Sequence, residues 1–218
     1  MNKYFKAAGL ATGIMLLAAT SASAATVALT AEAAGVDVTT VPGQDFISDL
    51  QGVGANTLFS GPLELIASGP LRLTFSLVAA ESGFNNALLF DGVVHIQENV
   101  GNGSVDFATG VLNGQTFSTT IAAGGNFAPL LSFDINGDGV ADFFSSDDEF
   151  GVFADARNLS ALTRFYLALD DSGANNDDNH DDIIVRVDVA PIPLPAGGLL
   201  LLTALGGMAV VRRRRKAA

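Results

Sequence analysis

Hydrophobic and polar residues alternate along much of the chain. In residues 71–78, Leu71, Leu73, Phe75 and Leu77 occupy every second position. In residues 183–189, isoleucine and valine recur in the same way. A period of two places successive side chains on opposite faces of a β-strand, so each segment predicts a strand with one face in a core.

Other short apolar segments have the same character and are separated by Gly, Asn, Asp and Pro. They are residues 26–30, 36–40, 63–67, 88–97, 115–121, 130–134, 150–154 and 164–169. Helical patterns are weak, because residues 44–50 and 156–162 are long enough for only a turn or two. The pattern therefore predicts an all-β fold, an antiparallel β-sandwich of roughly nine to eleven short strands, with a jelly-roll as one variant.

The N-terminal segment departs from this pattern. Lys3 and Lys6 precede an almost purely apolar run over residues 7–19, and small residues then lead to Ala24 and Ala25. This is the layout of a secretory signal peptide with a signal helix, and we expect signal peptidase to cut between Ala24 and Ala25. The alternative is an uncleaved anchor, although the apolar run is shorter than the ~20 residues that span a bilayer.

The C-terminal segment carries a second membrane signal. Residues 197–211 have no charge, and four arginines and a lysine follow over residues 212–216. As a helix the uncharged stretch would be roughly 22 Å long, which is short for a permanent span. Basic clusters stay on the cytoplasmic side, so the residues before Pro191 are expected outside the inner membrane. The alternative is a simple tail anchor, in which the prolines form a stiff spacer.

The motif Pro193-Leu194-Pro195-Ala196, with its apolar helix and arginine cluster, resembles the VPLPA-CTERM sorting signal, a variant of bacterial PEP-CTERM tails. Ile192 stands where the motif's name has valine. The resemblance implies processing by an exosortase-type membrane protease. It also implies a transient inner-membrane intermediate and delivery to the surface or extracellular matrix of a Gram-negative type bacterium. The predicted organisation is a signal peptide over residues 1–24, a β-sandwich body over 25–190, and over 191–218 a sorting signal with a short transmembrane helix.

Charge sharpens the division between the body and its ends. The chain has 23 acidic and 11 basic residues, a net charge of −12. Seven of the bases lie in the end segments, so residues 25–190 carry 23 acids against 4 bases, or −19. Such a body lacks the clustered Lys and Arg that nucleic-acid binding requires. The mean hydropathy of +0.38 is raised by the apolar end segments, and the absence of cysteine excludes disulfides and thiolate metal sites.

Residues 134–142 match the first nine positions of an EF-hand-like calcium loop. The expected ligands are Asp134, Asn136, Asp138, the Val140 carbonyl and Asp142. Position 12, which needs a bidentate Glu, is Ser145, so the segment looks more like the shortened DxNxDGxxD loops of secreted bacterial proteins. The alternative is a metal-free hairpin turn between residues 130–133 and 140–144.

A second acidic segment, residues 170–182, leads into the last predicted strand. Its six carboxylates lie within thirteen residues and would repel one another unless a cation or full solvation relieves them. The ligand candidates are Asp170, Asp171, Asp177, Asp181 and Asp182. The segment resembles the DxDYxDxVV segments of PEP-CTERM-type secreted proteins, with His180 in the usual place of Tyr. A solvated loop is the alternative. A third acidic run, residues 147–149, either closes the first loop or faces water.

These features predict a non-enzymatic, exported and sorted surface or matrix protein with a structural or interaction role. Its expected cofactor is Ca²⁺, bound at roughly 10⁻⁴ to 10⁻³ M as in extracellular modules. Only two histidines are present, His95 and His180, which makes a His-based zinc site unexpected.

Two other functions compete with this prediction. One is a carbohydrate-binding or adhesive module of the exopolysaccharide matrix, against which stand the absence of Trp and the presence of only two Tyr. The other is a hydrolase whose site is not recognisable from the sequence. The glutamates available to it as paired carboxylates are Glu64, Glu81, Glu98 and Glu149.

Overall fold

The computed structural model describes residues 24–37, 54–80, 84–98, 115–171, 180–193, 204 and 206. Within these ranges the chain forms thirteen β-strands and two short 3-10 helices, Ala128–Leu130 and Ala156–Asn158. The strands are β1 (Val27–Ala31), β2 (Val36–Asp37), β3 (Thr57–Ser60), β4 (Leu63–Ala67), β5 (Leu71–Ala79), β6 (Ala87–Phe90), β7 (Val93–Gln97), β8 (Thr116–Ile121), β9 (Leu131–Asp134), β10 (Phe143–Phe144), β11 (Phe150–Ala154), β12 (Arg164–Leu169) and β13 (Ile183–Pro191).

The strands form three antiparallel sheets. The large sheet has seven strands in the order β2-β3-β11-β12-β13-β5-β8, and the small sheet has the order β10-β9-β6-β7. Strands β1 and β4 make a separate pair. The all-β, antiparallel prediction is confirmed, while the jelly-roll variant stays a prediction.

One apolar core joins the three sheets into a sandwich-like body. Leu71, Leu73, Phe75 and Leu77 of β5 are fully buried in it, as their alternation predicts. The small sheet contributes residues such as Phe133, and the β1–β4 pair contributes residues of both strands. On its other face the large sheet carries a second cluster of buried residues, so β11 is buried along its whole length.

The structure corrects the expectation of a single strand over residues 88–97. The chain reverses at Asp91 and Gly92, whose φ angles are 53° and 73°, and β6 pairs with β7 across this turn. An Asp-Gly pair with positive φ at both positions is a favoured two-residue hairpin turn. The short strand Thr57–Ser60 was not predicted. Residues 156–162 are helical only over Ala156–Asn158, and residues 44–50 lie outside the described ranges.

Both chain ends leave the body at one end of the sandwich, which we call the tail end. The Thr26 N–H donates to Ser68 Oγ at 2.8 Å, and two residues further on the Ile192 N–H donates to the Pro70 carbonyl at 3.1 Å. Residues 68–70 therefore bind the beginning and the end of the body. No helix of the described ranges is long and apolar enough to span a membrane. Most of the predicted signal peptide and the predicted sorting tail lies outside these ranges. Ala204 and Gly206, which the ranges include, are helical.

Candidate metal centres

Acidic loops meet at the opposite end of the sandwich, which we call the acidic end. The pairing registers bring them together, because Ala87 lies opposite Asp134 in the small sheet, and Leu169 lies opposite both Phe150 and Ile183 in the large sheet. The strand termini at these positions carry eleven acidic residues within the described ranges. They are Glu98, Asp134, Asp138, Asp142, Asp147, Asp148, Glu149, Asp170, Asp171, Asp181 and Asp182.

The first predicted loop wraps around the carboxylate of Asp134, which is fully buried. Asp134 Oδ1 accepts from the N–H groups of Asn136 and Gly137 at 2.9 and 2.8 Å. Its Oδ2 accepts from the Gly139 N–H at 2.7 Å. Gly139 has a φ of 84°, a conformation that side-chain-bearing residues rarely adopt, so glycine is required at this turn. Three amide dipoles thus face one buried negative charge.

The other side chains of the loop also turn back to the main chain. Asn136 Oδ1 accepts from the Asp138 N–H at 2.9 Å, and Asp138 Oδ1 accepts from the Val140 N–H at 2.8 Å. Asp142 Oδ2 accepts from the Ile135 N–H at 3.0 Å. Each of these bonds uses one oxygen, so the second carboxylate oxygens of Asp138 and Asp142 are available to an ion.

The metal-free alternative for this loop describes its backbone correctly. Strands β9 and β10 form a hairpin in which Phe143 pairs with Phe133. A hairpin and an ion site do not exclude each other here, because the carboxylates at alternate positions already point into the loop. The tip of the loop is exposed to solvent at Asn136, Asp138 and Val140.

The described residues of the second predicted segment, 170, 171 and 180–182, are less solvated than those of a free acidic loop would be. Asp170, Asp171 and Asp181 are buried, and Asp182 is half-buried. Asp182 Oδ2 accepts from the Asp171 N–H at 2.6 Å, which joins the two sides of the β12–β13 connection. Asp177 lies outside the described residues.

The sequence analysis did not connect two polar residues of this region, Asn86 and Glu98, with the acidic segments. Asn86 precedes β6 and Glu98 follows β7, so the unrecognised Asp91-Gly92 turn brings them side by side. The Glu98 N–H donates to the Asn86 carbonyl at 2.9 Å, and the Asn86 N–H donates to Glu98 Oε1 at 3.1 Å. The signal that could have found them is the turn itself, because it pairs the segments on either side. A β-bulge between Leu88 and Leu89 shifts the register by one residue, so that Asn86 lies opposite Glu98.

Burial raises the pKa of the Glu98 carboxyl to about 8. The hydrogen bond from the Asn86 N–H opposes this shift, whereas the negative charges of Asp182 and Asp171 add to it. Glu98 is 2% exposed. At this point the two sheets therefore approach each other through the buried carboxyl groups of Glu98 and Asp171.

Asn86 is the partner that links Glu98 to the large sheet. Its Nδ2 donates to Asp171 Oδ2 at 3.1 Å. Its Oδ1 is fully buried and has no hydrogen-bond donor within the described part of the chain. A buried acceptor without a donor costs about 1–3 kcal/mol, so this oxygen lowers the stability of the fold.

The third acidic run does not close the first loop. Asp147 Oδ2 accepts from the Phe144 N–H at 2.7 Å, which caps its own turn. The Asp148 carbonyl accepts from His180 Nε2 at 2.9 Å. The His180 ring lies over Gly151, where a Cβ would come within 2.6 Å of His180 Cδ2. The histidine therefore packs on β11 and has a structural role. His95, the second histidine, stacks on Phe117 with ring centroids 3.6 Å apart.

Among the described residues, no three acidic or imidazole side chains already converge as metal ligands. Ion binding would therefore require side chains of either region to turn toward a common point. Comparison with protein-family models, curated proteins and solved structures finds no match for this chain. The motif residues Leu194, Pro195 and Ala196 lie outside the described ranges, whereas Ala24 and Pro193 are exposed and Ala25 packs on the core.

Proposed function

We propose that this protein is an exported, C-terminally sorted surface or matrix protein with a structural or interaction role, whose acidic loops bind calcium. In this proposal a signal helix precedes the body, and a sorting tail with a short transmembrane helix follows it. Signal peptidase and an exosortase-type protease are its processing partners, and the inner membrane holds it transiently.

The observation that carries the proposal is the position of the acidic loops relative to the chain ends. The acidic loops lie at one end of the sandwich, and residues 26 and 192 leave from the other. Strand β13 (Ile183–Pro191) alone has nine residues, which gives it a length of roughly 30 Å at 3.3 Å per residue. A body tethered by its tail would thus present its carboxylates away from the membrane, to the calcium outside the cell.

The termini of the body fit removal of both end segments. Ala24 is exposed, and the chain enters the core directly after it through Ala25 and Val27. At the other terminus, Pro191 ends β13 and Pro193 is exposed. A cut after Ala24 and a cut near Ala196 would both spare the strands that form the sandwich.

Thermal unfolding of the purified full-length protein tests the calcium part. With a Kd of roughly 10⁻⁴ to 10⁻³ M, 10 mM calcium adds about 1.4–2.7 kcal/mol to the free energy of unfolding. This corresponds to a Tm increase of roughly 3–10 °C over the protein in chelator. Sodium chloride at matched ionic strength is the control, and an equal rise with sodium would sink the calcium proposal.

The double variant Asp138→Asn with Asp142→Asn tests the first loop. Asparagine keeps the oxygens that accept from the Val140 and Ile135 N–H groups but removes two charges. We expect calcium affinity at this loop to fall at least tenfold. The matched control is Asp91→Asn, because Asp91 is an exposed carboxylate in a turn at the other end of the small sheet.

Mass spectrometry of the mature protein from its native cell tests export and sorting separately. We expect an N-terminus at Ala25 and a C-terminus near Pro195 or Ala196. An intact arginine cluster at residues 212–215 would instead leave a simple tail anchor.

A groove gives the carbohydrate-binding alternative a specific basis. Phe144 is 47% exposed and lines a cavity of about 330 Å³ with Pro62, Leu63, Pro129, Ser145 and Ser146. An exposed ring beside hydroxyl groups can pack on the apolar face of a sugar. A glycan array with the wild-type protein and Phe144→Ala decides, because sugar binding through this groove would require the ring.

A further inference from the structure

A polar cluster crosses from the small sheet to the large sheet at the acidic end. Asn86 and Glu98 border the β6–β7 hairpin, and Asp171 and Asp182 border the β12–β13 connection. We call these four residues the inter-sheet cluster. Hydrogen bonds link Glu98 to Asn86, Asn86 to Asp171, and Asp171 to Asp182 at 2.6–3.1 Å. The cluster is therefore one connected unit drawn from four separate places in the chain.

The side-chain carbonyl of Asn86 is the feature that points to a ligand. The carboxamide nitrogen is directed at Asp171 Oδ2, and the main-chain N–H is directed at Glu98 Oε1. Both nitrogens of Asn86 thus donate to carboxylates, while its Oδ1 is fully buried and has no donor in the described part of the chain. Ionised carboxylates accept hydrogen bonds and donate none, and the Glu98 oxygen that contacts Asn86 accepts from its main-chain N–H. Rotating the carboxamide would only turn its oxygen toward Asp171, so reorientation does not relieve it.

A cation would supply the partner that Asn86 Oδ1 does not find among the hydrogen bonds of the cluster. It would bind the Asn86 oxygen as a ligand, replace the proton held by Glu98, and offset the charges of Glu98, Asp171 and Asp182 at once. Carboxylate and amide oxygens without nitrogen or sulfur are the ligand set of a hard cation. Calcium fits better than magnesium, because it tolerates irregular geometry and both mono- and bidentate carboxylates.

We propose that the inter-sheet cluster is a calcium site, with Asn86 Oδ1 and the carboxylates of Glu98, Asp171 and Asp182 as its side-chain ligands. The proposal rests on calcium binding as the protein's function, but it uses residues outside the Asp134–Asp142 loop. Binding draws the carboxylates inward to a common point around Asn86 Oδ1. The ion then ties the β6–β7 hairpin to β12 and β13, closing the sandwich at its acidic end.

Equilibrium dialysis of the full-length protein against calcium counts the ions bound per chain. The test variants are Glu98→Gln and Asp182→Asn. Each keeps an oxygen that can accept the hydrogen bond seen in the structure, from the Asn86 N–H or from the Asp171 N–H, and removes one charge. The matched control is Glu64→Gln, because Glu64 is an exposed glutamate on β4.

We expect the wild-type protein to bind at least two calcium ions. Each test variant should lose one of them or bind it at least tenfold more weakly, and Glu64→Gln should bind as the wild type does. If Glu98 were only a hydrogen-bond acceptor, Glu98→Gln would leave the ion count unchanged. Should one variant fail to fold, the other decides.

The outcomes separate this proposal from the one it rests on. If both test variants bind calcium as the wild type does, and only the Asp138→Asn, Asp142→Asn double variant loses an ion, the inter-sheet site is wrong and the calcium function stands. If the wild-type protein binds no calcium at millimolar concentration, both proposals are wrong.

Discussion

At the tail end of the sandwich carboxylates face arginines, whereas at the acidic end they face main-chain N–H groups and one another. The Asp188 carboxylate forms ion pairs with Arg164, whose Nε lies at 2.6 Å, and with Arg186, whose Nε lies at 3.0 Å. Asp155 is paired with Arg157 at 2.8 Å. In contrast, Asp134 is held by three amides and Glu98 by one. The two ends thus neutralise charge by different means.

The difference follows from where the few bases of the body lie. Residues 25–190 contain four, of which Arg72, Arg157 and Arg164 border strands or loops at the tail end. Arg186 lies in β13 and is directed to Asp188. The acidic end therefore has no cationic side chain among these four. Its carboxylates Asp134 and Glu98 accept hydrogen bonds from main-chain N–H groups, and in our proposal calcium offsets the remaining charge. We therefore expect the stability of this end to change with calcium and with pH.

The same substitution at the two ends should have unequal effects. Asp134→Ala removes the acceptor of three N–H groups at a buried position and should lower the free energy of unfolding by about 3–5 kcal/mol. Asp188→Ala removes two partly exposed ion pairs and should cost about 0.5–1 kcal/mol. Urea unfolding in chelator measures both values without a contribution from bound ions.

Asp134→Asn is the control for charge in that experiment. Its single carbonyl oxygen can still accept from the Asn136 and Gly137 N–H groups, but its amide would face the Gly139 N–H. We expect a loss between those of the two alanine variants. Equal losses for Asp134→Ala and Asp188→Ala would show that the two ends do not differ in this way.

The sequence predicted those parts of the acidic end that depend on local pattern. The alternation in β5 and β13 and the spacing from Asp134 to Asp142 are read along a single segment. Both are found in the structure, as buried strand faces and as side chains that turn into the loop. Local periodicity is sufficient there because neighbours in the chain determine the geometry.

A local sequence pattern could not predict the inter-sheet cluster. Asn86 and Glu98 look like ordinary loop residues until the chain reverses at Asp91 and Gly92. Their approach to Asp171 further requires the packing of two sheets, which is a long-range event. Strand β11 shows the same limit, because Phe-Gly-Val-Phe-Ala has no alternation and is buried on both faces. The sequence pattern indicates that both faces of such a strand are covered, but it does not indicate which residues cover them.

The two ends should also differ in how their stability depends on pH. Because the folded pKa of Glu98, about 8, lies above its ordinary value of 4.5, the folded state holds a proton that the unfolded state has lost. Stability in chelator should therefore be highest near pH 5 and fall as pH rises toward 8 and beyond. We expect a Tm decrease of several degrees between pH 5 and pH 9, measured by calorimetry.

Glu98→Gln is the matched variant for this titration and should flatten the profile over that range. At the tail end, Arg157 hydrogen-bonds to the Asp155 carboxylate and lowers its pKa. That contribution is present above the ordinary pKa of 3.8 and is lost only as pH falls further, so it does not change between pH 5 and pH 9. A wild-type profile that is level over this range would contradict the assignment to Glu98.

The smallest expected effect is that of Arg164→Ala at the tail end. The arginine side chain is 47% exposed and its partner Asp188 is 33% exposed, so the ion pair should contribute only about 0.2–1 kcal/mol. Raising sodium chloride to 1 M shortens the screening length to about 3 Å and should reduce even this difference. The same salt should stabilise the wild-type protein in chelator, because it screens repulsion among the carboxylates at the acidic end. Two results would contradict this comparison: a loss above about 2 kcal/mol in the free energy of unfolding for Arg164→Ala, or destabilisation of the wild type by salt. Either result would mean that the tail-end ion pairs stabilise the protein by more than the charge repulsion at the acidic end destabilises it.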